Sequence, residues 1–226
     1  MTWKDFVSAA GDLGVSADAE AVRKLQVFED RLYEANKTTN LTRVPRDECR
    51  SRHFLDSLTL APLISEGSRV IDIGSGAGFP GVPLAIVRPD LRVTLLDGGS
   101  KELAFLESLS DLAELGFILE RAEIAGKEVN FREHYDFATG RAIAPLLIQA
   151  EISAPFLKVG GLFVPMRTAQ EETPGFEEFG LELTQRKIVD LPSLGALRLL
   201  PTYRKVQPTP DRFPRGWAAM KRRAGG

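Results

Sequence analysis

The chain has 226 residues, 43% hydrophobic and 27% charged, with a formal net charge of −2. That length and apolar content fill one sizeable core with a small appended segment, and the near-neutral balance argues against indiscriminate nucleic-acid binding. The lone cysteine, Cys49, excludes a disulfide framework and a cysteine-rich zinc site, and no metal is expected. No apolar run approaches the length of a membrane span, and Met1-Thr2-Trp3-Lys4-Asp5 lacks a secretory apolar region. A soluble, cytoplasmic protein with no membrane attachment is therefore expected.

The first sixty or so residues read as helices. Trp3 to Leu13 is short and amphipathic, and Asp18 to Asn36 repeats Val22, Leu25, Phe28 and Leu32 at helical spacing. After the polar connection Asn40-Leu41-Thr42, a third helix is predicted from about Arg46 to Ile64. From Val70 onward strands and helices alternate, which favours a parallel sheet covered by helices on both faces. Strands are predicted near 69–73, 92–96, 117–121, 136–140 and 160–166, with helices near 81–87, 101–114 and 145–157. Gly160-Gly161 reads as the turn into the fifth strand, and two more strands near 181–190 and 196–206 complete a seven-stranded sheet. Pro208, Pro210 and Pro214 then break further regular structure. The resulting division is a helical cap over 1–66, a main domain over 67–206 and a basic tail over 207–226.

The most informative stretch runs from Val70 to Gly81. A buried strand ending at Ile73 opens into glycines at 74, 76 and 78, where a missing Cβ lets the main chain turn sharply and approach a ligand. Pro80 and Pro83 suit a first helical turn. Two cofactor classes fit this loop. Gly76, Gly78 and Gly81 satisfy the dinucleotide pattern G-x-G-x-x-G, while Asp72 extends it to the D-x-G-x-G-x-G form usual where S-adenosylmethionine is bound. Asp97, at the tip of the next apolar run, suits the ribose hydroxyls of either. An NAD-linked oxidoreductase remains open on these residues, as does a non-catalytic RNA-binding module with a vestigial pocket.

Ligands of doubly wound sheets sit beyond the carboxyl ends of the strands. Those tips carry Gly74 to Phe79, Asp97 to Ser100, Arg121-Ala122-Glu123, Gly140-Arg141-Ala142 and Met166-Arg167. Ala122 and Glu123 are placed to frame an adenine, and Arg141 falls near the middle of the cleft. No nucleophilic triad assembles: His134 reads as solvated, His53 as a helix-surface residue, and Cys49 lies away from the strand tips. Pyrimidine C5 methylation commonly needs a cysteine nucleophile, and exocyclic amine methylation an Asn or Asp followed by Pro-Pro and an aromatic. Thr139-Gly140-Arg141-Ala142 is not that pattern. A target such as guanine N7, whose lone pair is already available, needs alignment rather than a base.

Charge is uneven along the chain. Arg204 to Gly226 holds seven basic residues (Arg204, Lys205, Arg212, Arg215, Lys221, Arg222, Arg223) against the single acid Asp211, and Arg43, Arg46, Arg50 and Arg52 form a smaller group. Converging beside the cofactor, such patches would form an electrostatic footprint for a phosphate backbone.

With these motifs the chain resembles the bacterial small-subunit ribosomal RNA guanine-N7 methyltransferases, the glucose-inhibited division protein B family. The residues carrying the resemblance are Asn40-Leu41-Thr42, Arg52 to Ser57, Asp72 to Ala85, Leu95-Leu96-Asp97 with Lys101, Arg121-Ala122-Glu123, Arg141 to Ala144, and Pro208-Thr209-Pro210 with Phe213-Pro214-Arg215. It departs from the family pattern at Gly98-Gly99, at Met166-Arg167-Thr168 and at its Ala224-Gly225-Gly226 end. The resemblance implies an α/β, Rossmann-like seven-stranded S-adenosylmethionine-dependent methyltransferase fold with an N-terminal helical cap. It implies S-adenosyl-L-methionine as donor, and as substrate a guanine in the decoding-region loop of 16S ribosomal RNA, free or in a small-subunit assembly particle. Cofactor contacts are then expected at Gly74, Ser75, Gly76, Gly78, Phe79, Asp97, Ala122, Glu123 and Arg141, with Arg141 positioning rather than acting as a base. RNA contacts are expected at Arg43, Arg52, Lys101, Arg167, Arg204, Lys205, Arg212, Arg215, Lys221, Arg222 and Arg223, on a monomer.

Overall fold

A computed structural model describes residues 1–191 and 195–225. Five strands run parallel: β1 (Arg69–Ile73), β2 (Arg92–Asp97), β3 (Leu115–Leu119), β4 (Tyr135–Thr139) and β5 (Leu157–Phe163). The two-residue β6 (Arg167–Thr168), long β7 (Leu181–Leu191) and β8 (Ala196–Lys205) close the sheet antiparallel. The order is β3-β2-β1-β4-β5-β8-β6, with β7 on β8, so among the described residues the sheet has eight strands rather than seven. Strand order reverses between β1 and β4, which opens a crevice at their carboxyl ends.

Alternation along β1 sends Val70 to one face and Ile71 and Ile73 to the other. The Val70 face packs on α1 (Trp3–Asp12), α2 (Ala19–Thr39) and, after β1, α4 (Gly81–Val87) and α5 (Ser100–Glu107). Phe6, Leu25, Phe28, Phe54 and Leu95 share that one apolar cluster, so the N-terminal helices and the sheet bury each other. The opposite face is covered by α6 (Ala122–Ala125), α7 (Leu146–Ser153) and α8 (Trp217–Ala224). Local chemistry sets the helix starts: Thr2 and Asp5 form a capping box, Asp18 accepts from the Ala21 amide at 2.7 Å, and Asn40 ends α2 in the left-handed region at φ 52°.

Four expectations are corrected. The third helix is not continuous: a 3₁₀ turn (Arg46–Glu48), a π turn (Arg50–Leu55), the single α turn α3 (Asp56–Leu58) and a second 3₁₀ turn (Ala61–Leu63) replace it. Hydroxyls compete there for backbone carbonyls, with Ser51 donating to Glu48 O, Ser57 to His53 O and Thr59 to Asp56 O. Gly160 is not a turn before the fifth strand but lies inside it at φ 93°, where the β4–β5 register shifts as in a bulge. The third strand starts two residues early, Leu115 pairing with Val93. The tail is not irregular throughout either; beyond the last proline, Ala218 to Ala224 are good helix formers and continue α8. Gly226 of that tail lies outside the described residues.

Candidate active site

The loop from β1 to α4 is tied to the neighbouring strand tip by its own amides. Gly74 and Ser75 donate to Leu96 O at 2.8 and 3.1 Å, and the Ser75 hydroxyl donates to Asp72 O at 2.9 Å. Gly76 donates to Asp97 Oδ2 at 2.8 Å and Gly99 to Asp97 Oδ1 at 2.9 Å, which fixes the Asp97 carboxylate while leaving each oxygen a free lone pair. At two glycines here a side chain would force its neighbours to move. Gly78 sits at φ 94° with a hypothetical Cβ 2.8 Å from Val82, and a Cβ on Gly81 would lie 2.4 Å from Leu95. Gly81 also donates to Asp72 Oδ2 at 2.8 Å, whereas Oδ1 of this fully buried side chain has no partner. Burial pushes the Asp72 carboxyl up to about 7.

Beyond the loop lies a cavity of about 230 Å³ whose walls include Ile73, Gly74, Leu96, Ala122, Glu123 and Ile143, with Asp97 at its side. Apolar faces, a fixed carboxylate and a side-chain-free main chain suit a nucleoside, so the residues fit the S-adenosylmethionine expectation. Glu123 is buried, 3.5 Å from the Arg121 guanidinium.

A second constellation adjoins the first. The π turn brings His53 into the interior, its ring stacked on Phe79 at 4.1 Å between centroids and 9° between planes. His53 Nδ1 is 2.8 Å from an Arg141 guanidinium nitrogen, and its Nε2 is 2.7 Å from the Thr42 hydroxyl. Burial, then the Arg141 and Arg52 charges, push the imidazole down to about 3. Arg141 donates to Asp56 Oδ2 at 2.9 Å and lies 5.3 Å over the Phe79 ring. Arg198 donates to both oxygens of the same carboxylate. Two guanidiniums thus share one buried carboxylate, leaving one positive charge on the trio. Arg52, His53, Asp56, Arg141 and Arg198 line a cleft of about 670 Å³. A third hollow, lined by Arg141, Ile143, Arg167 and Arg198 among others, abuts it.

The profile of the GidB family, rRNA small subunit methyltransferase G, matches residues 21–191. This chain belongs to that family. It is 36% identical over 222 residues to Ribosomal RNA small subunit methyltransferase G of Acetivibrio thermocellus, covering 94% of this chain and 92% of the relative. The enzyme of the same name from Caldanaerobacter subterraneus subsp. tengcongensis is 38% identical over 227 residues, covering 96% and 95%. Among solved structures, the Burkholderia thailandensis 1,6-didemethyltoxoflavin-N1-methyltransferase, crystallised with S-adenosylhomocysteine, superposes with a TM-score of 0.52 at 18% identity over 79% of this chain and 88% of that one. The architecture is accordingly the Rossmann-like methyltransferase fold.

The structure gathers Gly74, Asp97, Ala122 and Glu123 on one cavity, and sets Ser75, Gly76, Gly78 and Phe79 in the loop beside it. The expected RNA-binding cations divide. Arg43, Arg52, Lys101, Arg212, Lys221 and Arg222 are exposed. Lys205 is not available to RNA: it is fully buried, donates to Ala154 O and the Thr209 hydroxyl, and burial pushes its amine down to about 8. Arg215 is bound to the buried Glu151 carboxylate, with its Nε 2.9 Å from Oε1, while Arg223 pairs with Glu178 and Arg167 with Glu171. Arg204 donates to Gly160 O and is level with Leu162, which through Phe137 lies level with Val70 near the start of β1, away from the cleft. His53 is buried rather than on a helix surface; His134 is exposed, as its polar loop suggested, and lies 2.8 Å from an Arg69 nitrogen.

Asp56, Arg198 and Trp217 carry no expected role in the sequence. Two of them left a signal: Asp56 is a carboxylate inside the apolar run Phe54 to Leu60, and Arg198 interrupts Leu197 to Leu200. Among the described residues no helix is long and apolar enough to cross a membrane, and no three His, Cys, Asp or Glu side chains are grouped to hold a metal ion.

Proposed function

We propose that this protein is an S-adenosylmethionine-dependent methyltransferase acting on N7 of a guanine in 16S ribosomal RNA. The observation carrying this reading is the segment after β4. Ile143 lines the nucleoside-sized cavity, Arg141 lines the basic cleft, and both line the hollow between them. A methyl donor on one side and a phosphate-bearing base on the other would meet across three consecutive residues. The names of the relatives supply the ribosomal RNA.

When bound, S-adenosylmethionine supplies a methyl whose transfer forms the N7–C bond and breaks the S–C bond, leaving the electron pair on sulfur and the positive charge on the guanine ring. Because N7 carries no proton, no side chain need act as a base, and alignment supplies the acceleration. Asp97 would hold ribose hydroxyls, Glu123 and Ala122 would bound the adenine, and the loop from Gly74 to Phe79 would pass close to the methionine. Arg141 would orient the target nucleotide. His53 and Asp56 hold Arg141 in place from two directions, so it reaches the cleft with its rotamer already fixed. Arg52 at the rim, and the exposed Arg43, Lys101, Lys221 and Arg222, would contact phosphates. We also propose that it works as a cytoplasmic monomer on the RNA or an assembly particle.

The test is transfer of labelled methyl to 16S ribosomal RNA lacking its modifications, followed by nuclease digestion and nucleoside mass analysis. Label in 7-methylguanosine, lost on Arg141→Ala, supports the reading. Label in another nucleoside, or none despite donor binding, overturns it.

A further inference from the structure

Trp217 opens α8, beyond residues 21–191 that the family profile matches. It is partly buried against the apolar cluster of the α7 face and lines the 230 Å³ cavity together with Asp97 and Glu123. Trp217, Arg121 and Glu123 also line a neighbouring cavity of about 700 Å³ that neither Gly74 nor Ile143 reaches. The indole therefore stands at the β3 end of the donor cavity, away from the Arg141 segment. The remaining apolar walls of that cavity are aliphatic, so Trp217 provides its one broad aromatic face.

The helix bearing this ring is held firmly. Arg215, two residues ahead, donates its main-chain amide and guanidinium to Glu151, which is 1% exposed. Arg132 donates to the carbonyls of Thr209 and Phe213, Met220 is buried, and Arg223 pairs with Glu178 on the far side. The Lys221 ammonium lies 5.7 Å from the Trp217 centroid. An aromatic wall fixed in this way loses little freedom when a ligand stacks on it.

We infer that Trp217 is a further donor-binding residue, the wall on which the adenine of S-adenosylmethionine stacks, and that α8 is the clasp that holds it there. This rests on the methyltransferase reading above. The sequence provides its own probe, since Trp3 and Trp217 are the two tryptophans and Trp3 lies in the opposite cluster, stacked on Phe54. S-adenosylhomocysteine is titrated into wild type, Trp3→Phe and Trp217→Phe with tryptophan emission as readout. Calorimetry gives the affinities of these and of Trp217→Leu and Trp217→Ala.

Quenching in wild type and Trp3→Phe, and none in Trp217→Phe, is expected. The Kd should rise about 10-fold in Trp217→Ala, equivalent to about 1.4 kcal/mol, with Trp217→Leu between and Trp217→Phe within about threefold of wild type. Emission of Trp217 that ignores calorimetrically saturated ligand, or a Trp217→Leu variant that melts normally and binds within twofold of wild type, overturns the inference. A merely structural role would lower melting temperature without moving the emission. Absence of ligand binding by wild type removes the methyltransferase reading itself, a separate outcome.

Discussion

Arg198 donates to both oxygens of Asp56, at 2.7 and 2.9 Å, across 142 residues of chain. This pair fastens the irregular helical segment of the N-terminal region to β8. Arg141 reaches the same carboxylate from the segment after β4, so three distant segments meet at one buried charge. Removing that charge leaves two guanidiniums facing each other in a site of low polarisability. Asp56→Ala is expected to cost about 3–5 kcal/mol of unfolding free energy, the range for breaking one partner out of a buried pair. Asp56→Asn should cost less. In the Asn variant, methyl transfer should fall at least tenfold while S-adenosylhomocysteine affinity stays within threefold. Urea unfolding with calorimetry and the transfer assay would show this, and an Asn variant with unchanged transfer would refute it.

His53 gives the stability a pH dependence of known sign. Its native pKa is pushed down to about 3 from an ordinary value near 6.5, so between these values the unfolded chain binds more protons than the native one. The His53 contribution is complete above pH 6.5 and is lost as pH falls towards 3, at no more than about 1.4 kcal/mol per unit. Asp72, raised to about 7, tilts the curve the other way, favouring the native state as pH falls between about 7 and its ordinary value. The comparison must therefore be wild type against His53→Gln. The difference between their unfolding free energies should narrow from pH 7 to pH 4; parallel curves would show that the imidazole does not titrate as described.

Much of this site was legible from local pattern. The strand from Val70, the glycine loop and the acid at Asp97 are written in contiguous residues, because hydrophobic period, positive φ and close approach are local demands. What escaped depends on pairing across the chain. The π turn at Arg50–Leu55 turns His53 inward to a guanidinium 88 residues away, and no helical period encodes that partner. Charge was misleading for the same reason. Lys205, Arg215 and Lys221 look alike in the basic segment, yet two are paired inside the fold and the third is exposed.

Asp97 tests the donor cavity without touching the basic cleft. Its carboxylate already accepts the Gly76 and Gly99 amides, so Asp97→Ala removes a ligand group and also releases two loop amides. The Kd for S-adenosylhomocysteine is expected to rise more than tenfold, one good charged hydrogen bond being worth roughly 1.5–3 kcal/mol. The affinity for RNA in the absence of donor should be unchanged. Filter binding beside calorimetry separates the two, and loss of RNA binding in this variant would argue that the cavity and cleft are not independent.

The basic segment should divide into structural and RNA-contacting charges. Arg215 holds a carboxylate that is 1% exposed, so Arg215→Ala strands Glu151 and should cost about 3 kcal/mol of stability, the lower end for a buried partner because Arg215 itself is 30% exposed. Lys221 and Arg222 are exposed residues of α8, and replacing both with Ala should leave the melting temperature within about 2 °C. Removing one cation from a phosphate lowers the slope of log K against log salt by about 0.7 on single-stranded RNA. The double variant is therefore expected to flatten the slope by about 1.4, whereas Arg215→Ala should change the slope little where it remains folded. An unchanged slope in Lys221→Ala/Arg222→Ala would take α8 out of the RNA interface and leave the grip to Arg43, Arg52 and Lys101.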